Sequence, residues 1–263
     1  MDDRRSIMSV EITENGQILE VTINRPKANA IDAGTSREMS AIFDSFMRDS
    51  KLRVAILTGS GTRFFSAGWD LSAANEGESF ESDYGVGGFG GICELKFRPK
   101  PVIAAVNGMA VGGGFEIAMA ADLIVAADHA EFFLPEATLG LIADNATIRL
   151  PRIVPPNIAR EMLVAGRRMS ASEAQNWGIV NQVTSSEDLM TLARTVAEKI
   201  CLSAPLSVAA VLDLMRELET VSSSNAMQVL RNNPTYRSAI DSQDAQEGTK
   251  AFAEKRAPKW QGK

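Results

Sequence analysis

The stretch Pro101-Val102-Ile103-Ala104-Ala105-Val106-Asn107-Gly108-Met109-Ala110-Val111-Gly112-Gly113-Gly114-Phe115-Glu116 decides the reading of this chain. It opens as an apolar run of strand length, Pro101 to Val106, bounded by Asn-Gly. A helix opens at glycines 112–114 and runs through Met119. A strand follows at Leu123 to Ala126. The whole segment from Pro101 to Asp128 is the most apolar in the chain, yet Asn107, Glu116, Asp122 and the glycines interrupt it. A membrane span would be free of that mix, so it reads as buried strand, turn, buried helix and strand.

The pattern extends outward on both sides. Val10 to Thr13 and Ile18 to Ile23 alternate as strands around Glu14-Asn15-Gly16, a hairpin signal. Met39, Ile42, Phe43, Phe46 and Met47 form one apolar helix face within Ala33 to Asp49. Arg53 to Leu57 is a short buried strand ending in the turn Thr58-Gly59-Ser60-Gly61, and Glu131 to Leu134 is another strand. Asn75 to Gly91, polar, acidic and glycine-rich, reads as a mobile surface loop. Ser170-Ala171-Ser172-Glu173 is a capping box, and Trp177-Gly178 ends its helix. Ser185 is placed to cap the next helix, striped by Leu189, Leu192, Ala193, Val196, Ala197 and Ile200. Beyond Cys201 the strand signals vanish. Strand–helix alternation followed by helices alone predicts an α/β core over residues 1–195 and a helical module over 196–263.

A net charge of −6 without a long basic run argues against nucleic acid or an anionic membrane as partner. Two distant cysteines, Cys93 and Cys201, fit a reducing compartment. Met1-Asp2-Asp3-Arg4-Arg5 has no apolar stretch behind it, so the expected location is cytoplasmic.

The single histidine, His129, lies in a polar turn and is expected to be solvated. That leaves no Ser-His-Asp triad and too few ligands for a Cys/His metal site, so no metal is expected. Gly85-Val86-Gly87-Gly88-Phe89-Gly90 satisfies a dinucleotide-type spacing. It follows an acidic segment, not a strand, and reads as a flexible loop.

Two glutamates stand out in apolar settings: Glu116, and Glu136 in Phe132-Phe133-Leu134-Pro135-Glu136. Buried glutamate is costly, and a pair of them suggests an acid/base site. Ser66-Ala67-Gly68-Trp69-Asp70 and Gly112-Gly113-Gly114 are glycine-bearing turns whose backbone N–H groups could hold a developing oxyanion. Either turn alone is better read as tight packing. Together with the two glutamates they predict a polarised carbonyl flanked by carboxylates.

These residues resemble the crotonase superfamily, the enoyl-CoA hydratases and isomerases, over nearly the whole chain. The motifs are Asn24 to Ala30, Thr58-Gly59, Phe65 to Asp70, Lys100 to Gly108, the glycine cluster with Glu116, Leu134-Pro135-Glu136, and Ala251 to Arg256. Arg25 to Asp32, Phe64 to Leu71, Gly87-Gly88-Phe89 and Gly166-Arg167-Arg168-Met169 are most similar to the branch acting on carnitinyl-type CoA esters.

The resemblance implies an α/β spiral of ββα turns (ClpP-like), with a C-terminal helical module that assembles trimers, often paired into hexamers. It implies hydration or dehydration of a short-chain enoyl-CoA, with no cofactor, coenzyme A being part of the substrate. By resemblance the oxyanion donors are the N–H groups of Ala67 and Gly113. Glu116 and Glu136 hold the water and move protons. Glu116, near a helix N-terminus, is expected to be the anion and Glu136 the proton carrier. Lys27, Ala28, Ala67, Asp70 and Leu71 match coenzyme A contacts. Phe252 and Lys255 match residues that reach the coenzyme across a subunit boundary. Trp69 has two open roles: covering a quaternary ammonium by a cation–π contact, or packing.

The chain departs from the family pattern over Gly140 to Pro151. The usual proline is Ala143, the glycine pair is gone, and Asn145-Ala146 stand nearby; Asp144 matches the carnitinyl-type branch. Seating of the water is expected to be weakest here. Double-bond isomerisation with one carboxylate, or acyl-CoA binding with impaired turnover, are the alternatives.

Overall fold

The structure, a computed structural model, describes residues 9–263. The run Met1 to Arg5 and the first residues of the 1–195 unit lie outside the described residues.

Ten strands are present among the described residues: β1 (Val10–Asn15), β2 (Ile18–Ile23), β3 (Val54–Gly59), β4 (Phe64–Ser66), β5 (Val102–Val106), β6 (Met109–Val111), β7 (Leu123–Ala127), β8 (Glu131–Phe133), β9 (Met169–Ser170) and β10 (Gln182–Thr184). They form a six-stranded sheet, β1-β2-β3-β5-β7-β10, and a four-stranded sheet, β4-β6-β8-β9. The helices of the core are α1 (Ala33–Arg48), α2 (Leu71–Asn75), α3 (Gly113–Ala120), α4 (Asp144–Arg149), α5 (Pro156–Ala165), α6 (Ala171–Asn176) and α7 (Leu189–Cys201). Four more follow: α8 (Pro205–Leu218), α9 (Ser223–Asn232), α10 (Pro234–Ile240) and α11 (Gln243–Ala253).

The chain climbs in repeated turns. β3 enters the large sheet, β4 the small one, and α2 follows; β5, β6 and α3 repeat the order one level on. β3, β5 and β7 run parallel and lie in the interior, β3 and β5 buried at every position. Parallel strands covered on both faces need continuous apolar sequence, which is why these runs were legible. The hairpin β1–β2 turns at Asn15-Gly16 as expected. β4 and β6, three residues each, are too short to show a period, and the sequence reading lacks them.

Two buried asparagines hold the corners between the sheets. Asn29 Nδ2 donates to the carbonyls of Ser60 and Phe64 (3.1 and 3.0 Å), and Asn107 Nδ2 donates to Gly61 and Phe64 (2.8 and 3.2 Å). His129 lies in the turn after β7, about half exposed, with Nε2 2.9 Å from the Thr62 carbonyl oxygen.

Two expectations need correction. The Asn75–Gly91 segment is not a loop free at the surface. Its end is buried: Gly87 N donates to Ser40 Oγ and Gly90 N to Ser36 Oγ (both 3.2 Å), on the buried face of α1. The glycines permit contact, since a methyl at Gly90 would strike Ile117. Ser185 does not begin α7; its Oγ accepts the Asp188 N–H (3.2 Å) in the turn before it, and the helix starts at Leu189. Residue 195, the expected end of the α/β core, lies within α7, whose Leu189, Ala193 and Ala197 pack on the large sheet. No single helix among the described residues is long and apolar enough to cross a membrane.

Candidate active site

The site forms where the turn after β4 meets the start of α3. The first N–H groups of a helix have no intrahelical acceptor. Gly113 N is such a group, and no acceptor for it exists among the described residues. Gly68, at φ 79°, lies against it; a Cβ on Gly68 would sit 2.7 Å from Gly113 N. The two turns therefore touch, and only glycine fits between them.

The second donor is not the one expected. Ala67 N donates to the Ala28 carbonyl at 2.9 Å and is consumed by the fold. Two residues on, Ile31 N donates to Gly68 O (2.8 Å) and Asp70 N to Ile31 O (2.9 Å), a bridge that leaves the Trp69 N–H without an acceptor among the described residues. Trp69 N and Gly113 N are thus free donors at this junction among the described residues. Ala67 still lines the cavity.

Glu116 stands in the first turn of α3 and is 7% exposed. Its Oε1 accepts the Ala146 N–H at 2.9 Å, from the start of α4. The departure at Gly140–Pro151 therefore supplies a helix N-terminus aimed at the first glutamate, where the sequence pointed to a weak water site. Glu116, expected to be the anion, meets a cost in ionising. Burial pushes its carboxyl up to about 7; the Ala146 N–H opposes this, and the charges of Asp144 and Glu136 add to it.

Glu136 begins a short 3-10 turn (Glu136–Leu139) beyond β8. Its carboxyl lies against Gly112, the left-handed residue (φ 54°) before α3, where any Cβ would overlap Oε1. Oε2 is buried without a hydrogen-bond partner among the described residues. Burial raises this group too, followed by the Asp144 charge. Both carboxyls face one cavity of about 470 Å³.

Of the residues matched to coenzyme A, Ala67 and Leu71 line that cavity, and Trp69 lines it beside them. Ala28 joins through its carbonyl, with Lys27 next to it in a left-handed turn (φ 80°). The Asp70 side chain is already engaged, capping α2 at Ser72 N (3.0 Å) and pairing with Arg25 (3.1 Å). Phe252 and Lys255 are not brought here; they lie at the end of α11, Phe252 86% exposed. The Trp69 indole N–H donates to Glu78 Oε1 (2.8 Å), and its ring stands edge-on to Phe80 (5.6 Å).

Tyr84, Phe89, Glu94 and Asp144 also line the cavity, and of these the sequence pointed to Phe89 and Asp144. The signal for Phe89 was its glycine-rich setting: its ring packs on Gly113, where a Cβ would collide with it.

The family model described as enoyl-CoA hydratase/isomerase matches residues 13–263. The chain is 53% identical to carnitinyl-CoA dehydratases of Shigella flexneri and Escherichia coli K12, over 97% of this chain and 99% of theirs. Among solved structures it is similar to an enoyl-CoA hydratase of Mycobacterium tuberculosis H37Rv, with TM-score 0.90, 38% identity, and coverage of 97% and 99%. It is also similar to one from Bacillus anthracis, with TM-score 0.88, 32% identity, and coverage of 97% and 100%.

Proposed function

This chain belongs to the enoyl-CoA hydratase/isomerase family, and we propose that it adds or removes water across the α,β double bond of a short acyl-CoA of carnitinyl type. The observation that carries the reading is the convergence on one cavity of two backbone N–H groups without an acceptor among the described residues, Trp69 and Gly113, and two carboxyls, the buried Glu116 and the half-buried Glu136.

The thioester oxygen lies between the two N–H groups, which stabilise the negative charge that grows there as the β-carbon is attacked. One such donor is worth roughly 3 kcal/mol in the transition state. Glu116 takes a proton from the water as its oxygen bonds to the β-carbon. Glu136 gives a proton to the α-carbon as the double bond becomes single. One water is consumed, and a proton returning from Glu116 to Glu136 closes the cycle. A base poised near 7 suits this step, since it is ionised often enough to act and basic enough to accept. Dehydration is the reverse. Two carboxyls, each in a distinct seat, favour hydration over one-carboxylate isomerisation.

The chemistry asks for no cofactor; coenzyme A is carried in by the substrate. Lys27, Ala28 and Leu71 are assigned to it here, with Phe252 and Lys255 reaching it from a neighbouring subunit. Residues beyond α7 form the module that builds a trimer or a pair of trimers. Exposed Val211, Met215, Met227, Ile240 and Phe252 support that assignment. The unpaired Cys93 and Cys201 support a reducing, cytoplasmic location.

The test is absorbance at the enoyl-thioester band with a panel of enoyl-CoAs that includes crotonobetainyl-CoA. Loss of the band with water in the product is expected. A migrated double bond would establish isomerisation, and coenzyme A binding without any reaction would establish a binding protein.

A further inference from the structure

The cavity is electrically one-sided. Five carboxylates line it, those of Glu81, Glu94, Glu116, Glu136 and Asp144, and no lysine, arginine or histidine among the described residues does. Two of the five serve the chemistry. Of the other three, Asp144 makes both reacting carboxyls costlier to ionise.

Asp144 is the most exacting of them. It is the first residue of α4, two positions before Ala146, whose N–H holds Glu116. Its Oδ1 accepts only from its own neighbour Asn145, through N and Nδ2 (2.6 and 3.2 Å), and no ion pair engages it among the described residues. Its negative charge is felt at Glu116, Glu136 and Tyr84 together, raising each. An unneutralised anion beside two reacting carboxyls opposes ionisation of the base. A cation brought by the substrate would remove that opposition.

Aromatic rings complete the arrangement. Tyr84 and Phe89 stand edge to face at 5.5 Å, and Phe89 packs on Gly113, beside the carbonyl site. The Tyr84 hydroxyl is turned to the Phe80 carbonyl (3.1 Å), away from any role as a donor to the substrate. A quaternary ammonium has no N–H to donate. It is recognised by ring quadrupoles and by a carboxylate at close range, which is what this corner offers.

We infer that Asp144, with the Tyr84–Phe89 pair, receives the positively charged end of the acyl group and selects cationic over neutral enoyl-CoAs. The inference rests on the acyl-CoA reading of the site and assigns residues to one end of it.

The experiment compares two esters: the trimethylammonium enoyl-CoA and its neutral isostere, in which a tert-butyl carbon replaces the nitrogen. Wild type is expected to prefer the cation by about 100-fold in kcat/KM. Asp144→Asn should cut that preference by about 10- to 100-fold, read as the ratio of kcat/KM for the two esters, so that any change common to both through the Glu116 base cancels. Tyr84→Leu should cut it about 10-fold. Tetramethylammonium ion should compete with the neutral ester on wild type, which reads the pocket even where a variant does not fold. Equal use of both esters by wild type, or an unchanged preference in both variants, overturns the inference. Calorimetric binding of the two esters separates the two readings: a binding preference without turnover removes the hydratase reading and keeps the pocket. Hydration with no preference removes the pocket and keeps the hydratase.

Discussion

The carboxyl of Glu116 accepts the backbone N–H of Ala146 across 2.9 Å, joining the first turn of α3 to the first turn of α4. One bond does not offset the burial of the carboxylate, and the group is pushed from 4.5 to about 7. The folded protein therefore binds this proton more tightly than the unfolded chain. Its contribution to stability is full below about pH 4.5 and is lost as pH rises through about 7. At pH 8 the ionised group costs about 3 kcal/mol, at 1.36 kcal/mol per unit. Glu116→Gln keeps an oxygen for Ala146 and carries no charge. It should raise stability at pH 8 by about that amount, with the gain fading towards pH 4, while turnover falls about 10²- to 10⁴-fold. Urea titrations at the two pH values read this; equal stability of variant and wild type at pH 8 would falsify the burial argument.

The same carboxyl sets a pH profile. In the hydration direction kcat/KM should climb towards about pH 7 as Glu116 ionises. Because Glu136 is also raised by burial, the profile belongs to the pair. Removing Glu136 as Glu136→Gln should abolish turnover and leave coenzyme A binding intact. A rate flat from pH 6 to pH 8 would contradict the assignment of Glu116 as base.

What was legible in the sequence was what has a period or a composition. β3 and β5 show as unbroken apolar runs because both faces are covered, and α1 shows its stripe. The two glutamates were visible because carboxylates rarely sit among Phe and Ala. The donor at Trp69 was not visible. Whether a given N–H in a five-residue turn is free depends on which neighbour pairs with Ile31, and that pairing spans separate segments of chain. The contact from Ala146 was hidden for a similar reason. The sequence lacks the glycines that usually bring backbone close, and a helix N-terminus makes the approach in their place.

Gly112 carries a prediction of its own. Its φ of 54° is strained for any other residue, and a Cβ there would meet the carboxyl of Glu136. Gly112→Ala should cost about 1–3 kcal/mol from the backbone alone. It should also push Glu136 from its seat, so that turnover falls further than the loss of folded protein explains. Thermal unfolding and turnover per folded molecule, measured together, decide between displacement and simple destabilisation. Full turnover in the folded fraction would show that Glu136 needs no such seat.

Glu78 governs the opposite wall. Its Oε1 accepts the Trp69 indole N–H (2.8 Å), and its Oε2 accepts the Ala33 N–H at the start of α1 (2.9 Å). One carboxylate thus ties the loop before Phe80 to the cavity wall and to a helix N-terminus that welcomes negative charge. Hydrogen bonds to an ionised group are worth about 1.5–3 kcal/mol each, so Glu78→Ala should loosen Trp69 and the Phe80 ring that stands edge-on to it. The expected result is a rise in KM of about 10-fold with kcat changed far less, because Glu116 and Glu136 are seated elsewhere. Glu78→Gln is the sharper variant. It offers one oxygen and one NH₂ to two N–H donors, so one partner must be lost. Partial rescue relative to Glu78→Ala would establish that the two bonds act separately. If kcat fell while KM held, Glu78 would instead be coupled to the reacting carboxyls.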